Sequence, residues 1–327
     1  MKYALITGGL GLIGTFIAKE LIKTKTVDKV ICLDHFGRYV SSAKSNFIDH
    51  RKTRIDYLGK KIIIERGDSK FHSVVIKLLL KYKPTYIFHL AALPLAKLDN
   101  LNSEEALEGS VTTTTGIIEY LGFLKKTINY EPKKFIYASS SMVYGDFKKK
   151  IIDEKHIKRP KEIYGTMKLA GEIVTRGLCD FYKIKFNIVR PSAVYGPTDM
   201  NRRVSQIFLE KALNQETLTV HGKNELLDFT YVKDISHGMI LAATSKISGE
   251  DFNITNGKAH TLLDYVKILK KFIPTVKYKI VQRDKFRPRR GTLSNKKAEK
   301  LLKYKPQYNL SKGISEYLDF IKNKKIN

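Results

Sequence analysis

Three glycines after the first apolar segment limit what this chain can fold into. Gly8, Gly11 and Gly14 directly follow the apolar run Lys2–Ile6 and open a helical pattern over Ile13–Thr24. Such a turn needs glycine where the chain reverses, where backbone amides approach a pyrophosphate, and where helix and strand pack closely. The open amides of a helix N-terminus also attract phosphate. The spacing predicts a dinucleotide-binding turn, whose cofactor-binding residues are Gly8, Gly11, Leu12, Ile13 and Gly14.

The first half of the chain alternates short apolar runs with longer helical patterns, which is typical of βαβ units in a parallel sheet. The predicted strands are Lys2–Ile6, Lys29–Leu33, Lys61–Glu65, Tyr86–Leu90, Lys134–Ala138 and Lys185–Arg190. The predicted helices are Ile13–Thr24, Phe71–Lys81, Glu104–Ile128 and Glu162–Tyr182. We therefore expect an α/β fold with a Rossmann-type, doubly wound parallel sheet.

The regular alternation ends near Pro191. We expect residues 1–190 to form the dinucleotide-binding domain, and residues 191–327 to form mainly a smaller C-terminal substrate-binding lobe. A segment within residues 228–255, close to Asp228–Asp234, is expected to return to the main sheet. A chain of 327 residues is long enough to bury the core of such a fold without disulfides.

Acidic and small residues at later strand ends predict further cofactor contacts. Asp34 ends the second predicted strand, where a carboxylate can bind a ribose diol, and it favours NAD over NADP. Arg38 lies close enough in sequence to keep NADP as an alternative. Asp68 is predicted either to approach the adenine or only to satisfy local turn amides. Ala91 and Ala92 leave room for the cofactor, and the preceding His89 is interpreted as a core residue.

Charge and cysteine content narrow the class of partner. The net charge is +28, but the lysines are spread over every segment, so a solvated surface is favoured over a nucleic-acid site. That surface would also attract phosphorylated ligands. Cys32 and Cys179 lie far apart and form no metal-ligand pair, so we expect no metal and a reducing, cytoplasmic location. No leader pattern or membrane-length apolar stretch is present, so no membrane partner is expected.

A tyrosine and a lysine one helical turn apart are the candidate reactive pair. Tyr164 and Lys168 stand at i and i+4, on one face of a predicted helix. Alone, this spacing is common on helix surfaces. Here it follows a serine run, Ser139 to Ser141, which comes directly after the fifth predicted strand. This interval would bring a serine hydroxyl and the pair together over the nicotinamide of a bound dinucleotide.

Further segments add to these motifs. They are Arg190–Pro197, the D-F-x-x-V-x-D segment Asp228–Asp234, and a closing pattern with Lys297, Ala298, Leu301, Tyr304 and Pro306. Over nearly its whole length the chain resembles an extended short-chain dehydrogenase/reductase, specifically a nucleotide-sugar epimerase of the UDP-galactose 4-epimerase type. The resemblance implies NAD as cofactor and a nucleotide-diphosphate sugar as substrate. It also implies a homodimer paired through the helices Glu104–Ile128 and Glu162–Tyr182.

The resemblance implies three catalytic residues. Tyr164 would be the general base, and Lys168 would lower the pKa of its phenol and bind the nicotinamide ribose, so both also belong to the cofactor site. Ser141 would hydrogen-bond the sugar oxygen. The substrate-binding residues expected from the resemblance and from the donors available for a diphosphate are Ser141, Ser192, Arg202, Arg203, Arg287, Arg289 and Arg290.

The resemblance also implies a 4-keto sugar intermediate, which members of the family share. The residues beside Ser141 indicate which reaction follows it. Dehydratases of the family carry an Asp-Glu pair there and decarboxylases a glutamate, whereas this chain has Met142 and Val143. Epimerisation at C4 is therefore expected. A 4,6-dehydratase, a decarboxylase and a reductase stay as alternatives. A non-catalytic protein that senses a dinucleotide or binds nucleic acid is the alternative of another class.

Overall fold

The computed structural model describes residues 1–37, 49–92, 103–283, 287–323 and 325–326. A seven-stranded parallel sheet lies at its centre. Its strands are β1 (Tyr3–Thr7), β2 (Lys29–Asp34), β3 (Ile62–Arg66), β4 (Tyr86–His89), β5 (Lys134–Ala138), β6 (Phe186–Arg190) and β7 (Glu250–Asn253). They lie in the order β7-β6-β5-β4-β1-β2-β3. The order reverses between β1 and β4, which opens a crevice at the carboxyl ends of the strands.

Helices cover both faces of the sheet, and the doubly wound α/β fold predicted from the sequence is confirmed. β5 and β6 are buried at every position, because a parallel sheet between two helical layers has no solvent-facing side. The helices are α1 (Leu12–Lys23), α2 (Arg51–Leu58), α3 (His72–Tyr82), α4 (Ser103–Leu107), α5 (Thr113–Ile128), α6 (Ile163–Tyr182), α7 (Val204–Leu213), α8 (Val232–Thr244), α9 (Leu262–Phe272), α10 (Lys296–Leu302) and α11 (Leu310–Asn323). None of the helices in the described ranges is long and apolar enough to cross a membrane.

The helix predicted over Glu104–Ile128 differs from the observed structure. One π-helical turn, Glu108–Thr112, separates α4 from α5. Such a turn holds one residue more than an α-helical turn and is frequent at functional sites. Glu108 and Gly109 in this turn border the crevice.

A segment within the predicted range 228–255 does return to the main sheet, but the finer location near Asp228–Asp234 is wrong. Thr230–Tyr231 pairs with Val194–Tyr195 in a separate two-stranded sheet, and α8 follows at once. The apolar run there meets the second lobe's own core, in which Tyr231 packs against Tyr195. Glu250–Asn253 instead pairs with β6 and completes the sheet.

Short strand pairs organise the second half of the chain. Ile151–Ile152 pairs with Thr292–Leu293, so a late loop lies beside the segment that follows β5. Ser141–Tyr144 in that segment forms a single 3₁₀ turn. The two other pairs are Leu218–His221 with Tyr278–Val281, and Leu226–Leu227 with His260–Thr261.

Candidate active site

The glycine turn joins β1 to α1 with little free space. Gly8 has φ +69°, and its N–H donates to the Leu33 carbonyl at 2.8 Å. A Cβ on Gly8 would lie 3.1 Å from the Ala91 amide nitrogen, and a Cβ on Gly14 would lie 2.6 Å from the Gly8 carbonyl oxygen. Gly11 is the N-cap of α1 and supplies no side-chain cap. The first amides of α1 are therefore left for a ligand.

A cavity of about 340 Å³ lies over this turn, at the carboxyl ends of β1 to β4. Its size and the open amides fit a dinucleotide, with the diphosphate at the N-terminus of α1. All the predicted cofactor residues outside the Tyr164–Lys168 pair line it: Gly8, Gly11, Leu12, Ile13, Gly14, Asp34, Asp68, Ala91 and Ala92.

Two carboxylates at the cavity edge are held by backbone amides. Asp34 accepts from Leu10 N at 3.0 Å and from Phe36 N at 2.9 Å. Asp68 accepts from Lys70 N at 2.9 Å, which is the local turn contact that the sequence allowed for it. Asp68 also borders the cavity. Arg38, which kept NADP open as an alternative, lies outside the described residues.

His89 is a buried structural residue, as the sequence predicted. Its two ring nitrogens lie 2.7 Å from Thr7 Oγ1 and 3.0 Å from Thr114 Oγ1. Burial lowers its pKa to about 3, and the charge of Lys168 adds to this decrease. A neutral imidazole therefore links β1, β4 and α5 behind the cavity.

Arg54 on α2 is a cavity residue that sequence reasoning missed. Its guanidinium donates to the Leu10 carbonyl at 2.6 Å and to Thr198 Oγ1 at 3.1 Å, so it joins the glycine turn to the loop after β6. Burial lowers its pKa to about 10, while Asp199 acts in the opposite direction. No motif marks this arginine, and its segment is not among the predicted helices.

Tyr164 and Lys168 lie in the first turns of α6. Glu162 caps this helix by accepting from Gly165 N at 2.9 Å. Lys168 Nζ donates to the Ala138 carbonyl at the end of β5 at 2.7 Å and lies 5.9 Å from the centre of the Tyr164 ring. Burial lowers the pKa of Lys168 to about 7, and Glu172 opposes that decrease.

Burial raises the pKa of the Tyr164 phenol. The charge of Arg203, a hydrogen bond with Ser140 and the charge of Arg290 lower it, whereas Glu162 raises it further. The cations that lower this pKa therefore include two arginines from the second half of the chain.

The three serines after β5 have different partners. Ser139 donates to Glu172. Ser140 Oγ accepts from Met142 N at 3.2 Å, and a hydrogen bond with its side chain lowers the pKa of Tyr164. Ser141 Oγ accepts from Arg290 Nη2 at 2.6 Å.

A buried ion pair fixes α6 on the sheet. Arg190 Nη2 lies 2.7 Å from Glu172 Oε2, and its Nε donates to Oε1 at 2.8 Å. Arg190 also pairs with Asp251 on β7. Because Glu172 is one turn after Lys168, this double contact anchors the reactive helix face to β6 and β7.

The predicted substrate residues do not all lie together. Arg290 contacts Ser141 and lies 3.3 Å from Ser192 Oγ, while Arg203 borders the cavity. Arg202 faces Glu210, with 3.8 Å between their charged atoms. Arg287 and Arg289 have exposed side chains on the loop before Arg290.

The chain is similar in sequence to known enzymes that act on nucleotide sugars. A family model described as the NAD dependent epimerase/dehydratase family matches residues 4–255. A putative UDP-glucose 4-epimerase of Methanocaldococcus jannaschii is 28% identical, over 98% of each chain. A dTDP-D-glucose 4,6-dehydratase of Dictyostelium discoideum is also 28% identical, over 77% of this chain and 59% of its own.

A solved structure, the UDP-glucuronic acid 4-epimerase of Bacillus cereus in complex with UDP-glucuronic acid and NAD, aligns with a TM-score of 0.87. The identity is 25%, and the alignment covers 98% of this chain and 99% of that one. The range matched by the family model includes the glycine turn, the serine run and the Tyr164–Lys168 pair.

Proposed function

Because this chain belongs to the NAD-dependent epimerase/dehydratase family, we propose that it epimerises a nucleotide-diphosphate sugar at C4 through a 4-keto intermediate. NAD is the cofactor, and when bound it accepts a hydride from the sugar carbon and returns it. The observation that carries the choice of epimerisation is the pair beside Ser141. Met142 and the buried Val143 offer no acid or base to a second carbon.

Tyr164 is the proposed base. Its phenol takes the proton of the sugar hydroxyl and later returns it, while Ser141 hydrogen-bonds the same oxygen. A phenolate in a buried site needs positive charge nearby, and Arg203 and Arg290 both lower the pKa of this phenol. Lys168 lies one turn further on and would bind the ribose next to the nicotinamide.

The diphosphate of the sugar nucleotide needs donors in the second lobe. Arg203 is the strongest candidate, because it borders the cavity and stands at the N-cap position of α7, where phosphate binding is favoured. Arg202, Arg287 and Arg289 stay as proposed contacts, and Ser192 is proposed to face the sugar beside Ser141.

We also propose a homodimer that pairs through α5 and α6. These two helices pack side by side and expose five large apolar side chains, Phe123 and Ile128 on α5 and Ile163, Ile173 and Phe181 on α6. A second copy would bury them. The cytoplasmic location stays a proposal supported by Cys32 and Cys179, two buried free thiols.

Replacing Tyr164 tests the assignment of the base. Tyr164→Phe should lower turnover by about 10³-fold, because the proton acceptor is lost, while NAD affinity stays near that of the wild type. Tyr182→Phe, at the far end of the same helix, is the matched control and should keep full activity. Wild-type rates in Tyr164→Phe would refute the assignment.

A panel of UDP-, dTDP-, GDP- and CDP-sugars tests the reaction. Products are identified by mass spectrometry and NMR. An unchanged mass with inverted stereochemistry at C4 is expected. Loss of water would support the dehydratase, loss of carbon dioxide the decarboxylase, and consumption of NADH the reductase.

A further inference from the structure

Arg290 carries a positive charge at the catalytic serine that no described carboxylate neutralises. Its Nη2 donates to Ser141 Oγ at 2.6 Å, and its Nη1 lies 2.6 Å from Met142 Sδ. Its Nε is buried and has no hydrogen-bond partner among the described residues. Burial lowers the pKa of this guanidinium to about 10, so it stays charged at neutral pH. A partly buried cation of this kind, with its Nε fully buried, is costly unless an anion binds beside it.

The nearest acidic groups are already used for other contacts. Glu162 and Asp228 both act on Arg290 at a distance. Glu162 caps α6 through Gly165 N. Asp228 accepts from Leu293 N at 3.2 Å and from Asn256 N at 3.1 Å, and burial raises its pKa to about 7. Both carboxylates are therefore held by backbone amides, and neither forms an ion pair with the Arg290 guanidinium.

Backbone contacts on both sides fix the position of Arg290. The Arg289 amide donates to Asp146 at 2.7 Å, and Thr292 N donates to the Lys150 carbonyl at 3.0 Å. Between them, a Cβ on Gly291 would lie 2.6 Å from that carbonyl oxygen, so only glycine lets the loop approach so closely. The guanidinium is therefore held in place before substrate arrives, which lowers the entropic cost of binding.

We propose that Arg290 selects a nucleotide-activated uronic acid by binding the carboxylate on C5 of its sugar ring. This inference rests on the proposed function, in which Ser141 and Tyr164 hold the oxygen on C4. C5 is bonded to C4, so its carboxylate lies beside an arginine that is hydrogen-bonded to Ser141. The diphosphate is attached at C1, across the ring. A neutral hydroxymethyl group on C5 would leave this partly buried charge without an anion.

The test compares two substrates that differ only at this carbon, UDP-glucuronate and UDP-glucose, with full-length protein and NAD. The wild type should prefer UDP-glucuronate in kcat/KM by on the order of 100-fold. Arg290→Gln should slow both substrates through Tyr164 but lower kcat/KM far more for UDP-glucuronate, so that the preference is lost. Arg159→Gln, which removes the same charge from an exposed arginine, should keep it. A wild type that prefers UDP-glucose, or an Arg290→Gln variant that slows both substrates equally, would overturn the proposal.

Binding separates this inference from the proposed reaction. Calorimetry with glucuronic acid 1-phosphate and glucose 1-phosphate requires no turnover and no particular nucleotide. Tighter binding of the uronic acid by the wild type but not by Arg290→Gln supports the carboxylate site even if neither nucleotide sugar is epimerised. Equal binding of the two sugars would refute it. Circular dichroism and NAD affinity check that each variant is folded. Arg290→Lys keeps the positive charge but cannot donate two parallel hydrogen bonds to a carboxylate, so it should retain part of the preference.

Discussion

At the scale of single residues, the site concentrates positive charge around one phenol. Tyr164 is influenced by Arg203 and Arg290, and Lys168 lies one turn away. Of these, the sequence identified Lys168 by its spacing, whereas the two arginines were expected only as substrate ligands. A sequence motif predicts which side chains are neighbours along one helix, but it does not predict contacts with side chains from distant loops.

Removing one of these charges should change the pH dependence of the reaction. Loss of a cation makes the phenolate less stable, so Arg203→Gln should raise the pKa of Tyr164. The Tyr164 phenolate then forms only at higher pH, so the rising part of the plot of kcat/KM against pH should shift to higher pH. Rates measured across the pH range test this. Arg202 faces Glu210 instead, so Arg202→Gln should leave this part of the plot in place. A shift to lower pH in Arg203→Gln would contradict the role given to its charge.

At the scale of elements, the sequence located the sheet better than the second lobe. The predicted strands end within one residue of β2 to β6, because buried parallel strands are continuous apolar runs between turns. The paired strands Val194–Tyr195 and Thr230–Tyr231 are two residues long and show no periodicity. The π-helical turn Glu108–Thr112 likewise interrupts a segment whose apolar spacing predicted one continuous helix.

The glycine turn allows a direct test of an element. In Gly14→Ala the new Cβ would lie 2.6 Å from the Gly8 carbonyl oxygen and 2.9 Å from Gly9 Cα, so the turn must move. NAD affinity should fall at least ~10-fold, and the free energy of unfolding should fall by about 1–3 kcal/mol. Calorimetry and denaturant unfolding measure both.

Gly177→Ala is the control for this substitution. A Cβ at that helical position has no neighbour within 4 Å, so NAD affinity should be unchanged. Unaltered NAD binding in Gly14→Ala would show that the turn is not under the packing constraint described for it.

At the scale of the whole molecule, one helix has two roles. One face of α6 carries Tyr164 and Lys168, and Glu172 on it is anchored to Arg190. Its exposed side presents Ile173 and Phe181, the latter 71% exposed. The proposed dimer would therefore fix the helix that holds the base from the side opposite the sheet.

A charge in that exposed side should separate the subunits. Phe181→Asp should convert the dimer to a monomer, because burying an unpaired carboxylate in an apolar interface is costly. Sedimentation velocity gives the mass of each form. Phe272→Asp, on an exposed phenylalanine of α9, should stay dimeric. A wild type that sediments as a monomer would exclude this assembly.

The pairing of Ile151–Ile152 with Thr292–Leu293 also sets the order in which the site is completed during synthesis. The ribosome needs on the order of 10 s to extend the chain from Tyr164 to Arg290. In that interval the glycine turn, the serine run and the reactive helix already exist, but the arginine beside Ser141 does not. The nascent chain thus contains the glycine turn and the Tyr164–Lys168 pair first, and the arginine proposed to discriminate among sugars is added only long afterwards.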